Sequence, residues 1–302
     1  MIEDLICQTF FGVAKAAILF LLASGLSVTC GMLNIANFAH GSLFMFGGFF
    51  AYFLIERIFG VSEAIIWIVL MVIAPALTAL LGMAWRRSFV VIDKPMPREI
   101  YPVVTLLFTM GWAMIFSDLV RVIFGESIYH APLPLILHGS TYLFGRGLPH
   151  YTIFAIALGF LLFIILFQLF FRTKIGALVR AIAYDAQTAS ALGINVKFIS
   201  SVVFGLGCFL AGLGGALNAM ISEVNYMTWI HIIVQAFIVA VIGGLGSFRG
   251  TIVGALIVGL TESYAIYLLG GVAGPGIGMM SIFLVASVIL AIRPQGIFGG
   301  RF

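Results

Sequence analysis

The chain has 302 residues, of which 63% are hydrophobic and 9% charged, and its mean hydropathy is +1.21. Soluble domains carry roughly 45–50% apolar and about 25% charged residues, so this composition excludes an ordinary soluble protein and indicates a polytopic membrane protein. The formal charge of +4 does not point to nucleic acid, because the cations lie in short segments beside apolar runs, where they report membrane orientation.

Apolar stretches of about 20 residues recur, and in hydrocarbon each backbone amide must be bonded within its own segment, so helices are the expected spanning elements. A barrel is disfavoured, since its strands would alternate polar and apolar residues. The start, MIEDLIC, carries Glu3 and Asp4 where a cleavable signal has a basic region, and the first run, 6–30, is expected to remain as a span. The second, 38–55, is short, glycine-rich and polar at its beginning, which leaves a broken or re-entrant helix open beside a full span. After 61–84 comes a polar loop, 85–100, with Arg86, Arg87, Lys94 and Arg98. Spans 101–123 and 150–171 flank a long connection, 125–149, with Pro132, Pro134 and Pro149. The basic loop 172–197 holds Arg172, Lys174, Arg180 and Lys197, and four further spans follow at 198–221, 230–247, 251–270 and 277–292.

The expected fold is therefore all-α, a transmembrane bundle of nine spans with eight or ten as alternatives. No stretch offers the roughly 50 polar-patterned residues of an independent soluble domain, so residues 1–302 read as a single membrane domain. With this count both basic loops and the tail carrying Arg293 and Arg301 fall on one side, expected to be cytoplasmic, and the acidic start falls outside. The cysteines Cys7, Cys30 and Cys208 lie in or beside apolar runs without a CxxC, and read as small core residues.

A charge at the centre of a span costs about 2.5 to 3.5 kcal/mol on insertion scales, which singles out Lys15, Asp118, Arg121 and Glu262. Asp118 and Arg121 are three apart near a span end and are expected to pair locally. Lys15 either snorkels or pairs with Glu262 across the bundle; Glu262 is a candidate for the translocation path, with an interhelical structural bond as the plainer alternative. The polar segment with Asn34, Asn37, Phe38, His40 and Gly41 sits between two apolar runs, where a broken helix would aim amide and imidazole groups into a path. A lone buried histidine is more often a satisfied structural donor. The run Gly243 to Ser247, with Gly244 and Gly246, suggests an unwound turn able to line a cavity, whereas Gly250/Gly254 and Gly205/Gly212 suggest close helix packing.

The segment 172–197 contains good helix formers, with Ile175, Leu178, Ile182, Ala189 and Leu192 spaced to form an apolar stripe, Asp185 placed to cap a turn and Gly193 to end it. It reads as a docking element, against the alternative of a helix lying flat on anionic lipid. There is no GxxxxGK[ST], HExxH or ligand-spaced cluster, so neither a phosphate loop nor a metal site is expected. A transporter of this kind working uphill would have to receive mechanical input from another chain.

Four motifs carry a resemblance. The run GMLNIANFAHGSLFMFGGFFAY (31–52) resembles the NFAHG region of the permeases of branched-chain amino acid ABC transporters, and RTKIGALVRAIAYDAQTASALGINV (172–196) is similar to their cytoplasmic loop. VIGGLGSFRGTIVGALIVGLTES (241–263) and RPQGIFG (293–299) match in the same order. The resemblance implies a multi-pass permease of an ABC importer in the bacterial inner membrane, similar to the smaller of two related permeases. It implies no catalysis and no cofactor in this chain, with ATP and magnesium on two ATP-binding partner subunits. A second related permease, in a heterodimer or a homodimer, and an extracytoplasmic solute-binding protein complete the implied partners beside the bilayer. Carried over by position, Tyr184, Asp185, Thr188, Ala189, Ala191, Leu192 and Gly193 would form the coupling helix. Asn34, Asn37, His40 and Gly41, with Gly243, Gly244 and Gly246, would shape the pathway or its gates. Relatives move branched-chain and other amino acids, urea, short amides or aromatic acids. Ser42, the phenylalanine-rich run Phe44 to Phe53 and the loop 126–147 depart from the family's pattern and leave the solute open. An ion-coupled carrier using Lys15 and Glu262 is the competing class.

Overall fold

Long apolar runs offer the backbone no bonding partner but itself, and the computed structural model, which describes residues 2–33, 36–59, 62–91, 100–143, 145–270 and 274–299, is accordingly helical almost throughout. In chain order the helices are α1 (Ile2–Leu33), α2 (Ala39–Phe53), α3 (Glu63–Ile68), α4 (Ala74–Arg86), α5 (Tyr101–Phe124), α6 (His150–Arg172), α7 (Lys174–Tyr184), α8 (Ala186–Ala191), α9 (Val196–Asn218), α10 (Thr228–Gly243), α11 (Phe248–Leu269) and α12 (Gly274–Ile292). A wider π turn, Leu54–Phe59, prolongs α2, and another, Val69–Ile73, joins α3 to α4. Among the described residues seven helical stretches are long and apolar enough to cross a membrane, and α10 and α12 add two shorter apolar helices. The doubtful second span is one of the seven: Ala39–Arg57, 19 residues, rises about 28 Å and forms an uninterrupted helix. The break foreseen there lies before it, in the link from α1.

Boundaries shift for identifiable reasons. Helix α9 begins earlier than expected because the Asn195 side chain caps it, accepting from Phe198 N at 3.0 Å. Helix α10 stops at Gly243 because Gly244 and Gly246 take φ of 101° and 85°, outside the helical region. The connection after α5 holds an unforeseen antiparallel hairpin, β1 (Ser140–Leu143) with β2 (Arg146–Pro149). The expected Asp118–Arg121 pair is corrected in part: Gly125 (φ 84°) ends α5 and turns the chain so that Arg121 Nε donates to Glu126 Oε1 at 2.8 Å, and Asp118 acts on Arg121 through its charge alone.

Lipid tails are as apolar as leucine, so helices in a bilayer gain from close approach rather than from hydrophobic exclusion. A methyl added at Gly215 would lie 1.8 Å from the Phe44 carbonyl oxygen, at Gly47 2.2 Å from that of Gly212, at Gly259 2.4 Å from that of Gly12, and at Gly254 2.3 Å from that of Val239. These contacts form the seams of α2 with α9, α1 with α11 and α10 with α11. Gly250 meets the backbone of Gly243, Gly212 meets Thr78, and Gly205 meets the Met83 side chain, so both glycine pairs read from spacing lie at helix contacts.

Following the chain back and forth places Arg86, Arg87, Arg172, Lys174, Arg180, Lys197, Arg249 and Arg293 at one end of the bundle, hereafter the basic end. Arg249 lies over the Phe171 ring at 4.8 Å, tying the start of α11 to the end of α6 there. At the opposite end Arg146 of β2 pairs with Asp4 of α1 at 2.6 Å. The tail returns to the basic end of α10, where Ile297 N donates to Ile242 O at 2.8 Å and Phe298 N to Gly243 O at 3.1 Å, satisfying carbonyls that a helix end leaves orphaned.

Candidate functional site

The basic segment is built for precision. Thr173 caps α7 by accepting from Gly176 N at 3.2 Å, and α7 folds back so tightly on α6 that a Cβ at Gly176 would sit 2.2 Å from the Phe170 carbonyl oxygen. Arg180 donates to that same carbonyl and lies 5.7 Å over the Phe171 ring. The inward face of α7 is Gly176, Val179, Ile182 and Ala183. The expected apolar stripe is therefore only partly correct: Ile182 and Ala189 are buried and Leu178 half-buried, but Ile175 and Leu192 point away from the protein. For Leu192 the reason is the break at Asp185, whose extended backbone (φ −153°, ψ 99°) rotates α8 relative to α7; Ile175, in the first turn of α7, lies off the inward face of that helix.

Asp185 then caps α8, its carboxylate accepting from Gln187 N at 2.9 Å, from Thr188 N at 3.1 Å and from the Thr188 hydroxyl. The Thr188 hydroxyl and these amides hold its carboxyl below the ordinary value of 3.8. Gly193, at φ 84°, closes α8 with both bonds of a Schellman motif: Ile194 N to Ala189 O at 3.1 Å and Gly193 N to Ser190 O at 3.0 Å. Ala189 anchors this turn in the protein, while Tyr184 is 87% and Leu192 77% exposed. Tyr184, Asp185, Thr188, Ala191, Leu192 and Gly193 thus form one exposed, rigidly capped surface around a buried Ala189.

The polar break between α1 and α2 is interior. Asn34 lies outside the described residues. Asn37 and His40 are fully buried, and Phe38 stacks on Phe237 of α10 at 4.6 Å while its N–H donates to Thr109 Oγ1 at 3.2 Å. Gly41 abuts the Trp229 carbonyl and Ile233, and the His40 ring fills the space beside Gly25, where a Cβ would fall 2.8 Å from Nε2. Among the described residues the side-chain atoms of Asn37, both ring nitrogens of His40 and the Ser27 hydroxyl are buried without a hydrogen-bond partner. A buried polar group left unpaired costs about 1–3 kcal/mol, so a cluster of such groups at the break marks it as a candidate for function rather than for packing.

The remaining candidates fall elsewhere. Gly243, Gly244 and Gly246 sit at the basic end, where Gly243 packs on Gly250, Gly244 against the returning tail and Gly246 against Gly31. Glu262, towards the opposite end, is paired with Lys15 across α1 and α11, and Gln235 Nε2 of α10 donates to both its oxygens at 3.3 Å. Gln235 was missed by sequence reasoning; the signal was a single amide inside the otherwise apolar run IIVQAFIVAV. The candidates therefore make three groups at different depths rather than one constellation.

Residues 8–292 match the family model described as branched-chain amino acid transport system / permease component. The chain is 28% identical over 291 residues to a probable branched-chain amino acid transport permease, LivH, of Methanocaldococcus jannaschii, covering 93% of this chain and 89% of that one. It is 25% identical to the high-affinity branched-chain amino acid transport system permease BraD of Pseudomonas aeruginosa, with 97% and 95% covered. The permease LivH of Escherichia coli is also 25% identical, with 97% and 94% covered. PsaBC of Streptococcus pneumoniae in complex with Fab aligns over 98% of this chain and 97% of that chain at a TM-score of 0.49 and 13% identity, a likeness too loose to add to the assignment.

Proposed function

The chain belongs to the family of permease components of branched-chain amino acid transport systems, and from that premise we propose that it is the membrane subunit of an ATP-driven importer for branched-chain amino acids. The observation that carries the coupling part of this reading is the exposed pair Tyr184 and Leu192, two large side chains held out from a turn that is capped at both ends. Exposed apolar groups on so rigid a mount suit a groove in a partner. The partners on this reading are two ATP-binding subunits carrying ATP and magnesium, a second permease chain, and an extracytoplasmic protein that delivers the solute. On this reading the membrane is a bacterial inner membrane and the basic end faces the cytoplasm, an orientation that the excess of Arg and Lys there supports.

Force applied at α8 has a physical route inward. Ala189 and Ile194 join the turn to the core, and α7 packs on α1, α6 and α9. Helix α9 in turn meets α2 along the Gly47 and Gly212 seam, next to the break holding Asn37 and His40. A rigid displacement of the turn is thus conveyed to the helices around that break, which on this reading gates the path.

The test is reconstitution with candidate ATPase subunits and a candidate binding protein from the same organism. Leucine uptake into vesicles is expected to require ATP and both partners, with urea, short amides and aromatic acids as competing solutes. Accumulation of solute by this chain alone under an ion gradient would replace the importer with an ion-coupled carrier.

A further inference from the structure

Lys15, paired with Glu262, borders a cavity of about 290 Å³ between α1, α6, α9 and α10, and Gln235, which holds Glu262, lines it too. That volume is at the lower edge of the roughly 300–1,000 Å³ typical of small-molecule sites. Gln235 lies seven residues inside α10 and Glu262 seven from the end of α11, which puts the pair about 10 Å below the end opposite the basic one. The Glu262 side chain is 8% exposed and the Lys15 side chain 39%, so the ammonium is the charge that the cavity offers. Asn218 at the end of α9 and Ser222 in the turn that follows it also line the cavity, with side chains that make no hydrogen bond to another described residue. Phe11, Leu19 and Ile232 supply an apolar wall.

We propose that this cavity is a solute subsite for a zwitterionic amino acid with an aliphatic side chain. The carboxylate rests on Lys15, the ammonium on Asn218 Oδ1 and Ser222 Oγ, and the side chain lies against the apolar wall. The inference rests on the importer reading for its choice of solute class. Electrostatics favour it independently: Glu262, held by Gln235, neutralises Lys15, so a solute of zero net charge fills the site without adding net charge at membrane depth. A neutral amide would have no use for an ammonium placed there at the cost of burial. Access is present as well. A second cavity of about 380 Å³, bordered by Asp4, Gln8 and Arg146 at the outer end, shares Phe11 with the first, so the Phe11 ring stands at the border of both.

The experiment uses the full chain in lipid nanodiscs, with Cys7→Ser, Cys30→Ala and Cys208→Ala and a single reporter thiol, Ile221→Cys, on the cavity wall. Alkylation by N-ethylmaleimide is timed with leucine, leucinamide or urea present. Leucine is expected to slow labelling about tenfold at roughly ten times its Kd, while leucinamide and urea do not. Lys15→Met/Glu262→Gln, which removes both charges together, is expected to abolish the protection. Equal labelling with and without leucine, equal protection by leucine and leucinamide, or full protection in the double variant overturns the proposal. The leucine and leucinamide contrast is read with Lys15 and Glu262 intact, so it decides whether or not the double variant folds. A complex that imports leucine without protection at Ile221→Cys sinks the subsite alone; protection without ATP-coupled uptake sinks the importer and leaves the subsite standing.

Discussion

Replacing Leu192 tests whether α8 docks an ATPase. Leu192 is 77% exposed, and full burial of a leucine side chain is worth about 1.5–3 kcal/mol, so a partner that covers it gains about 1–2 kcal/mol, or roughly 5–30-fold in Kd. Leu192→Ala should lose most of that factor. Leu192→Asp should lose more, because a carboxylate must then shed its water inside the interface or hold it open. The permease itself should be unaffected, since Leu192 is the last residue before the Gly193 turn and buries little within the chain. The assay is titration of the purified ATPase subunit onto permease in nanodiscs, with thermal unfolding of the permease followed in parallel. Unchanged affinity and unchanged ATP-driven uptake for Leu192→Asp would refute the docking argument; loss of binding to anionic vesicles instead would make the segment a lipid-surface helix.

Three further outcomes follow from the geometry. Gly215→Ala drives a methyl into the Phe44 carbonyl, a backbone clash that no rotamer relieves and that belongs at the top of the usual range of about 1–3 kcal/mol, so it should cost about 2 kcal/mol net of the roughly 1 kcal/mol helix-propensity gain, whereas Gly111→Ala, with nothing within 4 Å, should keep that gain; the midpoints of SDS-induced unfolding compare them. Asp185→Ala should weaken coupling and Asp185→Asn largely preserve it, because asparagine also caps. The Asp185 carboxyl lies below its ordinary value when folded, so its contribution is complete above that value and is lost as pH falls through the lowered one; coupling should be flat on this account between about pH 5 and pH 8. His40→Leu removes two unpartnered ring nitrogens from the interior and should leave the bundle as stable or more so while lowering uptake, and a fall in the unfolding midpoint with uptake intact would make His40 a packing residue.

Most of the bundle was legible because the bilayer narrows the choices. Nine apolar runs could become little but helices, and the arginine and lysine clusters fixed which ends lie together. What escaped was local. Gly244 and Gly246 end α10 four residues before the apolar run does, and hydropathy does not register that turn because the residues around it are themselves apolar. The hairpin Ser140–Pro149 depends on Gly145 at φ 76° and on packing against α1 and α6, neither of which is written in an alternating pattern. Arg121 chose Glu126 over Asp118 because the helix had ended, which spacing along an assumed helix cannot reveal.

The site divides in the same way. Asp185 and Gly193 were readable because a cap and a left-handed turn are local demands, met by residue types that do little else so well. Lys15 and Glu262 were readable because charge in hydrocarbon is costly enough to require a reason. The facing direction of Leu192 was not, since it depends on the rotation that Asp185 introduces between α7 and α8 and not on either helix's own period. Gln235, Asn218 and Ser222 were hidden for a related reason: single uncharged polar groups in apolar runs carry too small a penalty to stand out, and only the crossing of α1, α9, α10 and α11 brings them beside a charge. The same crossing gives Glu262 its weight. Buried on one helix it would be a liability; held by Gln235 and opposed to Lys15, it lets an ammonium stand open in a cavity deep in the bundle.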